Sequence, residues 1–279
     1  MFERYTGEAW EARFLPRLTY QEIAALPKED ALVILPIGAI EQHGPHMPVM
    51  TDALIGEAVL THALDQLDEE GNIWLLPPLA YGKSNEHLDF PGTISLSAST
   101  LQGVVTDIAT SVAKAGFRRL VLFNTHGGNT DLLNVAAREL RISTGLMVFF
   151  LSPSSLNAAH DLLSDEEKEY GIHAGDYETS LVMAIKPAWV HTDKLVREIP
   201  DLSGLRYLTL EGKTRFAWVM SDISSSGAMG DSTQATSAKG DLILSRCATT
   251  LALALKELAT FEISTVRSAP REEMAVRDA

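Results

Sequence analysis

Short apolar runs alternate with segments of helical repeat along the first half of the chain. Four runs, almost wholly apolar and of strand length, are predicted to be buried parallel strands: 31–37 (ALVILPI), 72–77, 119–124 (RLVLFN) and 146–151 (LMVFFL). Four segments with a helical repeat are predicted to be helices: about 51–67, 99–115, 130–142 and 236–260. This alternation favours a mostly parallel sheet with helices on both faces.

We therefore expect one α/β domain over residues 1–265, a three-layer α/β/α fold of the doubly wound, flavodoxin-like kind. The polar segment 266–279 is expected to be a disordered tail, and 195–235 to be rich in loops. Thr51 is predicted to cap the first long helix. In open parallel sheets ligands bind at the carboxyl ends of strands, where the loops after 31–37 and 119–124 should meet.

Charge and cysteine content exclude several classes of function. The chain has 279 residues, and 23 Lys and Arg against 37 Asp and Glu give a net charge of −14, which disfavours non-specific nucleic-acid binding. The single cysteine, Cys247, excludes an intrachain disulfide and a thiolate zinc cluster. The sequence shows no signal peptide and no apolar run long enough to cross a membrane, so we expect a cytoplasmic protein.

The first predicted strand is followed by PIGAIEQHGPHMPVMTD, which contains Glu41, His43, His46 and Asp52. Glu41 and His43 are two residues apart, so in an extended segment their side chains leave the same side. Converging carboxylates and imidazoles suit Zn²⁺, Mn²⁺ or Fe²⁺. The alternative is a polar turn with hydrogen-bonded histidines.

The strand at 119–124 is followed by a second polar motif, NTHGGN. Its histidine, His126, stands at the same sheet edge, and Gly127 and Gly128 let the backbone pass close to a ligand. The alternative is an anion-binding loop, although complete phosphate-binding fingerprints are absent.

The third motif, HAGDYETS, contains His173 and Glu178. Residues five apart on one helix point about 140° away from each other. If both side chains face one site, His173 should lie in the loop and Glu178 in the first turns of the helix. The alternative is an ordinary helix start.

These motifs, with PPLAYGKSNEHLDFPGTISL and a weaker match at SSSGAMGDSTQATSAKG, resemble the creatininase family of metal-dependent amidohydrolases. The resemblance covers about residues 30 to 245 and implies the creatininase-like form of the expected fold. It also implies a site with two divalent metal ions, Zn, Mn or Fe. Glu41 and His126 would hold one metal, His43 would hold the second, and Asp52 would bridge both.

The chain departs from the pattern of the creatinine-hydrolysing members at one position. Those enzymes carry a glutamate ligand two residues after the THGG histidine, where this chain has Gly128. We expect Glu178 to take its place as a ligand of the second metal and to belong to the catalytic group. His173 matches the catalytic histidine of the family, which shuttles a proton.

Further residues of the motifs are expected to orient ligands or line the substrate pocket, although structural hydrogen bonding is an open alternative for several of them. They are Gln42, His46, Ser84, Glu86, His87, Gly127, Gly128 and Asn129.

The resemblance implies a hydrolase that cleaves a non-peptide C–N bond of a small amide or cyclic ureide through a hydroxide bridging the two metals. Gly128 disfavours creatinine itself. The alternatives within the family are deformylation of a pyrimidine, trimming of a peptide and opening of a keto-inositol ring. Outside it they are a sugar isomerase or epimerase using the same metals, and a binding module without catalysis. Family members form hexamers built as trimers of dimers, so a homo-oligomer is expected.

Overall fold

The computed structural model describes residues 7–67, 71–212 and 214–266. Its central sheet consists of four strands: β1 (Leu32–Ile37), β2 (Ile73–Leu75), β3 (Arg119–Asn124) and β4 (Met147–Leu151). The strand order is β2-β1-β3-β4, and each neighbouring pair is parallel. The prediction of a mostly parallel sheet is confirmed.

Strands β1 and β3 form the middle of the sheet and end together. Their register pairs Leu32 with Arg119 and Ile37 with Asn124. From β1 the chain crosses to β2 on one side, whereas from β3 it crosses to β4 on the other. The carboxyl ends of β1 and β3 therefore form the topological switch point, where ligands bind in sheets of this kind.

Helices cover both faces of the sheet. The α-helices of the described residues are α1 (Glu8–Arg13), α2 (Tyr20–Ala25), α3 (Thr51–Leu64), α4 (Ala98–Lys114), α5 (Thr130–Thr144), α6 (Asp165–Tyr170), α7 (Asp176–Ile185), α8 (Met220–Ile223) and α9 (Ser237–Thr260). Alternate strand residues such as Ile34 and Phe123 pack with α3, α7 and α9 on one face. Val33 and Leu122 pack with α4 and α5 on the other. The three-layer α/β/α prediction is confirmed.

The predicted cap of α3 is wrong. Met50 occupies the N-cap position without a side-chain cap, and Thr51 is the first helical residue. The Thr51 hydroxyl donates instead to the Pro48 carbonyl at 2.7 Å, because the chain turns sharply at Pro48 before the helix begins. Asp52 lies in the first turn, as expected.

Helix α7 packs directly against α9, the long apolar helix that buries Cys247. The contact depends on Gly240, where an added Cβ would overlap the carbonyl of Ser180 on α7. The two helix backbones can approach this closely because glycine lacks a side chain. Tyr177 of α7 also contacts the thiol of Cys247.

The chain between β4 and α9 is mostly irregular, as predicted for 195–235. Its regular parts are short helices and one antiparallel pair, β5 (Arg197–Glu198) and β6 (Gly230–Asp231). The predicted tail lies, from residue 267 onward, outside the described residues. In the described part of the chain, no helix combines the length and apolar character that crossing a membrane requires.

Candidate metal centre

The loops after β1 and β3 bring four polar side chains together at the switch point. Glu41 and His43 follow β1, Asp52 lies in the first turn of α3, and His126 follows β3. All four are buried, with 1–5% of their surface exposed. Such burial is costly for charged groups unless another charge compensates them.

Two groups of ligand atoms form around the shared Asp52, and the atoms of each lie within 4.8 Å of one another. In the first, His126 Nδ1 lies 3.2 Å from Glu41 Oε2 and 3.3 Å from Asp52 Oδ2. In the second, His43 Nε2 lies 3.3 Å from Asp52 Oδ1 and 3.8 Å from Glu178 Oε2. The two carboxyl oxygens of Asp52 thus face different groups.

Backbone contacts orient both imidazoles. His43 Nδ1 lies 2.9 Å from the Glu41 carbonyl oxygen, to which it donates. His126 Nε2 lies 3.0 Å from the Lys83 carbonyl oxygen and 3.1 Å from Ser84 Oγ. These contacts leave His43 Nε2 and His126 Nδ1 facing the carboxylates, as the outer partners of metal-binding histidines do.

The unpaired atoms of the site fit a pair of cations. Among the described residues, the buried side-chain atoms without a hydrogen bond are Glu41 Oε2, His43 Nε2, His46 Nδ1 and Asp52 Oδ2. Three of these four belong to the two groups around Asp52. Buried polar atoms are nearly always satisfied, so three converging exceptions fit a site that binds cations.

The pKa shifts of the buried side chains also indicate that the cluster favours positive charge. Burial opposes protonation of His43, but the Asp52 carboxylate outweighs it and raises the pKa of His43 to about 10. Burial also opposes protonation of His126, whose pKa the Glu41 and Asp52 carboxylates nevertheless raise. Burial raises the pKa of Glu41 to about 8. The cluster therefore favours positive charge, which divalent metal ions would supply on binding.

His173 lies beside this cluster, in the loop before α7. Its Nε2 lies 2.7 Å from the Gln42 carbonyl oxygen, and its Nδ1 lies 3.3 Å from Glu41 Oε1. Burial lowers the pKa of His173, and the nearby His43 lowers it further. The ring is therefore neutral, with the Nε2 proton held by Gln42 and the Nδ1 lone pair facing the cluster.

Glu178 lies in the first turn of α7 and reaches back toward the same loop. Its Oε2 accepts a hydrogen bond from the Ala174 N–H at 2.7 Å. Ala174 has φ 53, the left-handed conformation that non-glycine residues seldom adopt. This turn lets His173 and Glu178 approach the site from two directions.

Other predicted residues hold the site loops together. The Gln42 amide nitrogen lies 2.8 Å from His87 Nδ1, and it donates to the Gly227 carbonyl at 2.7 Å. His46 Nε2 contacts the hydroxyl of Thr179 at 2.9 Å, which ties the first motif to α7. His46 lies outside the two ligand groups.

Asn129 stands at the N-cap position of α5 but makes no side-chain cap. Its Oδ1 accepts from the Lys83 N–H at 2.8 Å, and its Nδ2 donates to the Gly38 carbonyl at 3.1 Å. Asn129 therefore joins the loop that contains Lys83 to the loop after β1.

Glu86 fills the space beside Gly128. A Cβ added at Gly128 would overlap Glu86 Oε1 and would lie 2.7 Å from the Lys83 carbonyl oxygen. Glu86 Oε1 lies 3.6 Å from His126 Nε2, the ring nitrogen that faces away from the ligand group, and Lys83 Nζ donates to its Oε2 at 2.9 Å. Glu86 therefore occupies the space of a side chain at 128, but it lies outside the group formed with His43.

A cavity of about 1010 Å³ opens onto the cluster. The predicted ligands Glu41, Asp52, His126 and Glu178 line it, together with Lys83, Gly127 and Gly128. Further walls come from residues within 153–160, from Leu210 and Glu211, and from 215–219. Sequence reasoning missed these walls, because their residues form no motif. It also missed Glu167, a buried carboxylate. The only signal for it in the sequence is the pair of glycines that follow, Gly171 and Gly175, which lie against it in the structure.

Comparisons with known proteins agree with this geometry. The model of the family described as "Creatininase: Creatinine amidohydrolase" matches residues 16–255. The mycofactocin precursor peptide peptidase of Mycobacterium ulcerans (strain Agy99) is 35% identical over 77% of this chain and 80% of its own length. The creatinine amidohydrolase of Pseudomonas putida is 32% identical over 88% of this chain and 96% of its own length.

A solved structure described as "Creatininase Mn" superposes with a TM-score of 0.71 at 30% identity, covering 88% of this chain and 98% of the other. The relatives named above are hydrolases, and the manganese form agrees with the divalent metal that the buried cluster requires. The resemblance found in the sequence motifs is confirmed. The chain belongs to the creatininase family of metal-dependent amidohydrolases.

Proposed function

We propose that this protein is a two-metal hydrolase that cleaves an amide bond of a peptide or another extended substrate. The observation that carries the proposal is the convergence of the unpaired Glu41 Oε2, His43 Nε2 and Asp52 Oδ2 into two ligand groups. One group would be Glu41, Asp52 and His126. The other would be His43, Asp52 and Glu178.

A bound pair of Zn²⁺, Mn²⁺ or Fe²⁺ ions would polarise the carbonyl of the amide and lower the pKa of water. The chain itself supplies the proton transfers. His173 is neutral, and its Nδ1 faces the cluster at 3.3 Å from Glu41 Oε1. Because Gln42 holds the other ring proton, Nδ1 is the atom that would take a proton and pass it to the leaving nitrogen.

Two observations favour an extended substrate. The cavity of about 1010 Å³ lies at the upper end of the usual range for small-molecule pockets, well above what a small cyclic ureide fills. In addition, one relative at 35% identity is a precursor peptide peptidase. This proposal replaces the expectation of a non-peptide bond in a small molecule.

A small cyclic amide is the second candidate, because the creatinine amidohydrolase relative matches over 96% of its length. A hydrolase of either kind incorporates solvent oxygen into the product carboxylate, whereas a sugar isomerase or epimerase does not. Turnover in H₂¹⁸O followed by mass spectrometry separates these classes.

The main test combines metal analysis with a substrate screen. Wild type should bind two metals, and Glu41→Gln and Glu178→Gln should each retain one, measured by inductively coupled plasma mass spectrometry after desalting. The screen would compare a peptide library, creatinine and keto-inositols. Wild-type protein that binds less than one metal per chain would overturn the proposal.

A further inference from the structure

Helix α6 carries one buried acid among exposed ones. In its sequence DEEKEY, Asp165 and Glu166 are exposed, whereas Glu167 retains only 4% of its surface. Burying a carboxylate is unfavourable unless it receives strong hydrogen bonds. The contacts of Glu167 must therefore explain its place.

The Glu167 carboxylate accepts hydrogen bonds from two backbone segments, the start of α7 and strand β6. Its Oε1 accepts from the Asp176 N–H at 2.7 Å, and its Oε2 accepts from the Asp231 N–H at 2.8 Å. Asp176 is the first residue of α7, whose N-cap, Gly175, has no capping side chain. Glu167 thus supplies the negative group that a helix N-terminus favours.

Three glycines make room for this carboxylate. A Cβ added at Gly171 or Gly175 would overlap Glu167, and one at Gly230 would lie 3.0 Å from both of its carboxyl oxygens. Gly175 has φ −86, a value open to any residue. Glycine at 175 is therefore required by the neighbouring carboxylate, and not by the backbone.

These contacts enclose the segment that carries the proton-transfer histidine. His173 pairs with Met229 through the N–H of each and the carbonyl of the other, at 3.1 and 2.7 Å. Gly230 and Asp231 follow Met229, while Asp176 follows His173. The Glu167 carboxylate therefore joins the two segments close to the point where His173 pairs with Met229.

We propose that Glu167 is a positioning residue that sets the places of His173 and Glu178. The inference rests on the proposed function, since Glu178 belongs to the second ligand group. When the Asp176 N–H loses its acceptor, the first turn of α7 is free to shift, and the Glu178 carboxylate moves with it. The first ligand group, which contains no residue of α7, should be unaffected.

The test is calorimetric titration of metal-free protein with Mn²⁺, comparing wild type with Glu167→Gln. The amide keeps the size of the side chain but offers an N–H to one of the two backbone donors. We expect the affinity of the second metal to fall about 10- to 100-fold, the usual effect of losing an outer partner. The first metal should bind as in wild type, and kcat should fall more than KM rises.

The matched control is Glu166→Gln, which changes the adjacent carboxylate on the same helix. Glu166 is exposed and pairs with Arg197 at 2.6 Å. This variant should bind both metals as wild type does. Equal behaviour of the 166 and 167 variants, with two metals at wild-type affinity, would overturn the inference.

A second variant tests the same contact in case Glu167→Gln folds poorly. Gly175→Ala retains the Glu167 side chain but displaces its carboxylate by steric overlap, and it should also weaken binding of the second metal. Adding Glu167→Ala to Gly175→Ala removes the overlap but also removes the acceptor of the Asp176 N–H, so the affinity for the second metal should stay low. Recovery of affinity in the double variant would contradict the inference, whereas wild-type protein that binds no metal would instead end the proposed function.

Discussion

The two ligand groups of the site are built in different ways. The first depends on the central sheet, because Glu41 and His126 follow the adjacent strands β1 and β3 and Asp52 lies in the first turn of α3. The second takes Glu178 from α7, which follows a largely irregular region. Strand pairing fixes the first group, whereas contacts between distant loops fix the second. The second group can therefore change without disturbing the fold.

The departure at Gly128 fits this difference. Creatinine-hydrolysing relatives are expected to carry a glutamate there, and this chain places Glu86 in that space and Glu178 beside His43. The first ligand group lies in the loops at the edge of the sheet. The replaceable part lies where two regions of the chain meet.

The largest effect should come from Asp52, where the two groups meet. Asp52→Asn removes a charge from both groups, so we expect loss of both metals. Turnover should fall by more than about 100-fold, the upper end for losing only an outer partner. Glu178→Gln should lose one metal only. If Asp52→Asn keeps one metal after desalting, the carboxylate does not bridge the groups.

A smaller effect should follow from crowding the sheet side of the site. Gly128→Ala should lower the free energy of unfolding by about 1–3 kcal/mol, because the added methyl overlaps Glu86 and crowds the Lys83 carbonyl. Gly127→Ala is the matched control, since an added Cβ there meets nothing within 4 Å. Urea unfolding measures both, and equal stability of the two variants would contradict the packing argument.

A third prediction concerns the irregular region and its dependence on pH. Burial raises the pKa of Glu198, but hydrogen bonds from Ser226 and Ser225 outweigh it and lower the pKa to about 2. The unfolded value is near 4.5, so this stabilisation is complete above about pH 4.5 and is lost as pH falls toward 2.

Glu198→Gln should therefore lower the free energy of unfolding at pH 6 by about 1 kcal/mol, less than for a fully buried charge. The difference from wild type should disappear near pH 2. Urea unfolding of metal-free protein from pH 2 to 6 measures it, with Glu257→Gln on α9 as the control. A difference that stays constant across this range would show that the carboxylate charge has no part in it.

The smallest effect should come from Ala174. Ala174→Gly relieves a left-handed alanine, worth about 1 kcal/mol, but it removes a buried methyl group and makes the unfolded chain more flexible. The net change in stability should stay within about 1 kcal/mol. Asn157→Gly, at another residue with φ 53, is the control. A large loss of second-metal affinity in Ala174→Gly would show that the strained turn itself positions Glu178.

The sheet and the first ligand group could be predicted from sequence because their signals are local. Apolar runs marked the strands, and Glu41 and His126 each follow such a run closely. Glu178 required the family resemblance and the five-residue spacing from His173. The prediction that Thr51 caps α3 was wrong because the turn at Pro48 places the Thr51 hydroxyl against the Pro48 carbonyl.

Glu167 could not be predicted because nothing local separates it from Glu166. Both belong to one short helix, DEEKEY, whose charged sequence predicts exposure to solvent. The difference arises in three dimensions, where Gly171, Gly175 and Gly230 surround the second carboxylate and leave the first outside. Only Gly171 and Gly175 are near it in sequence, and glycines there also suit an ordinary turn.

The close contact at Gly240 has a consequence for the motion of the site. Because α7 and α9 touch at this glycine, the part of α7 from Ser180 onward cannot tilt without moving a helix of 24 residues that also packs on α3. The amide protons of this part of α7 should therefore exchange with solvent as slowly as those of α9, by opening of the whole domain. The Glu178 carboxylate lies in the turn before this contact, so that turn can shift while the rest of the helix stays closed.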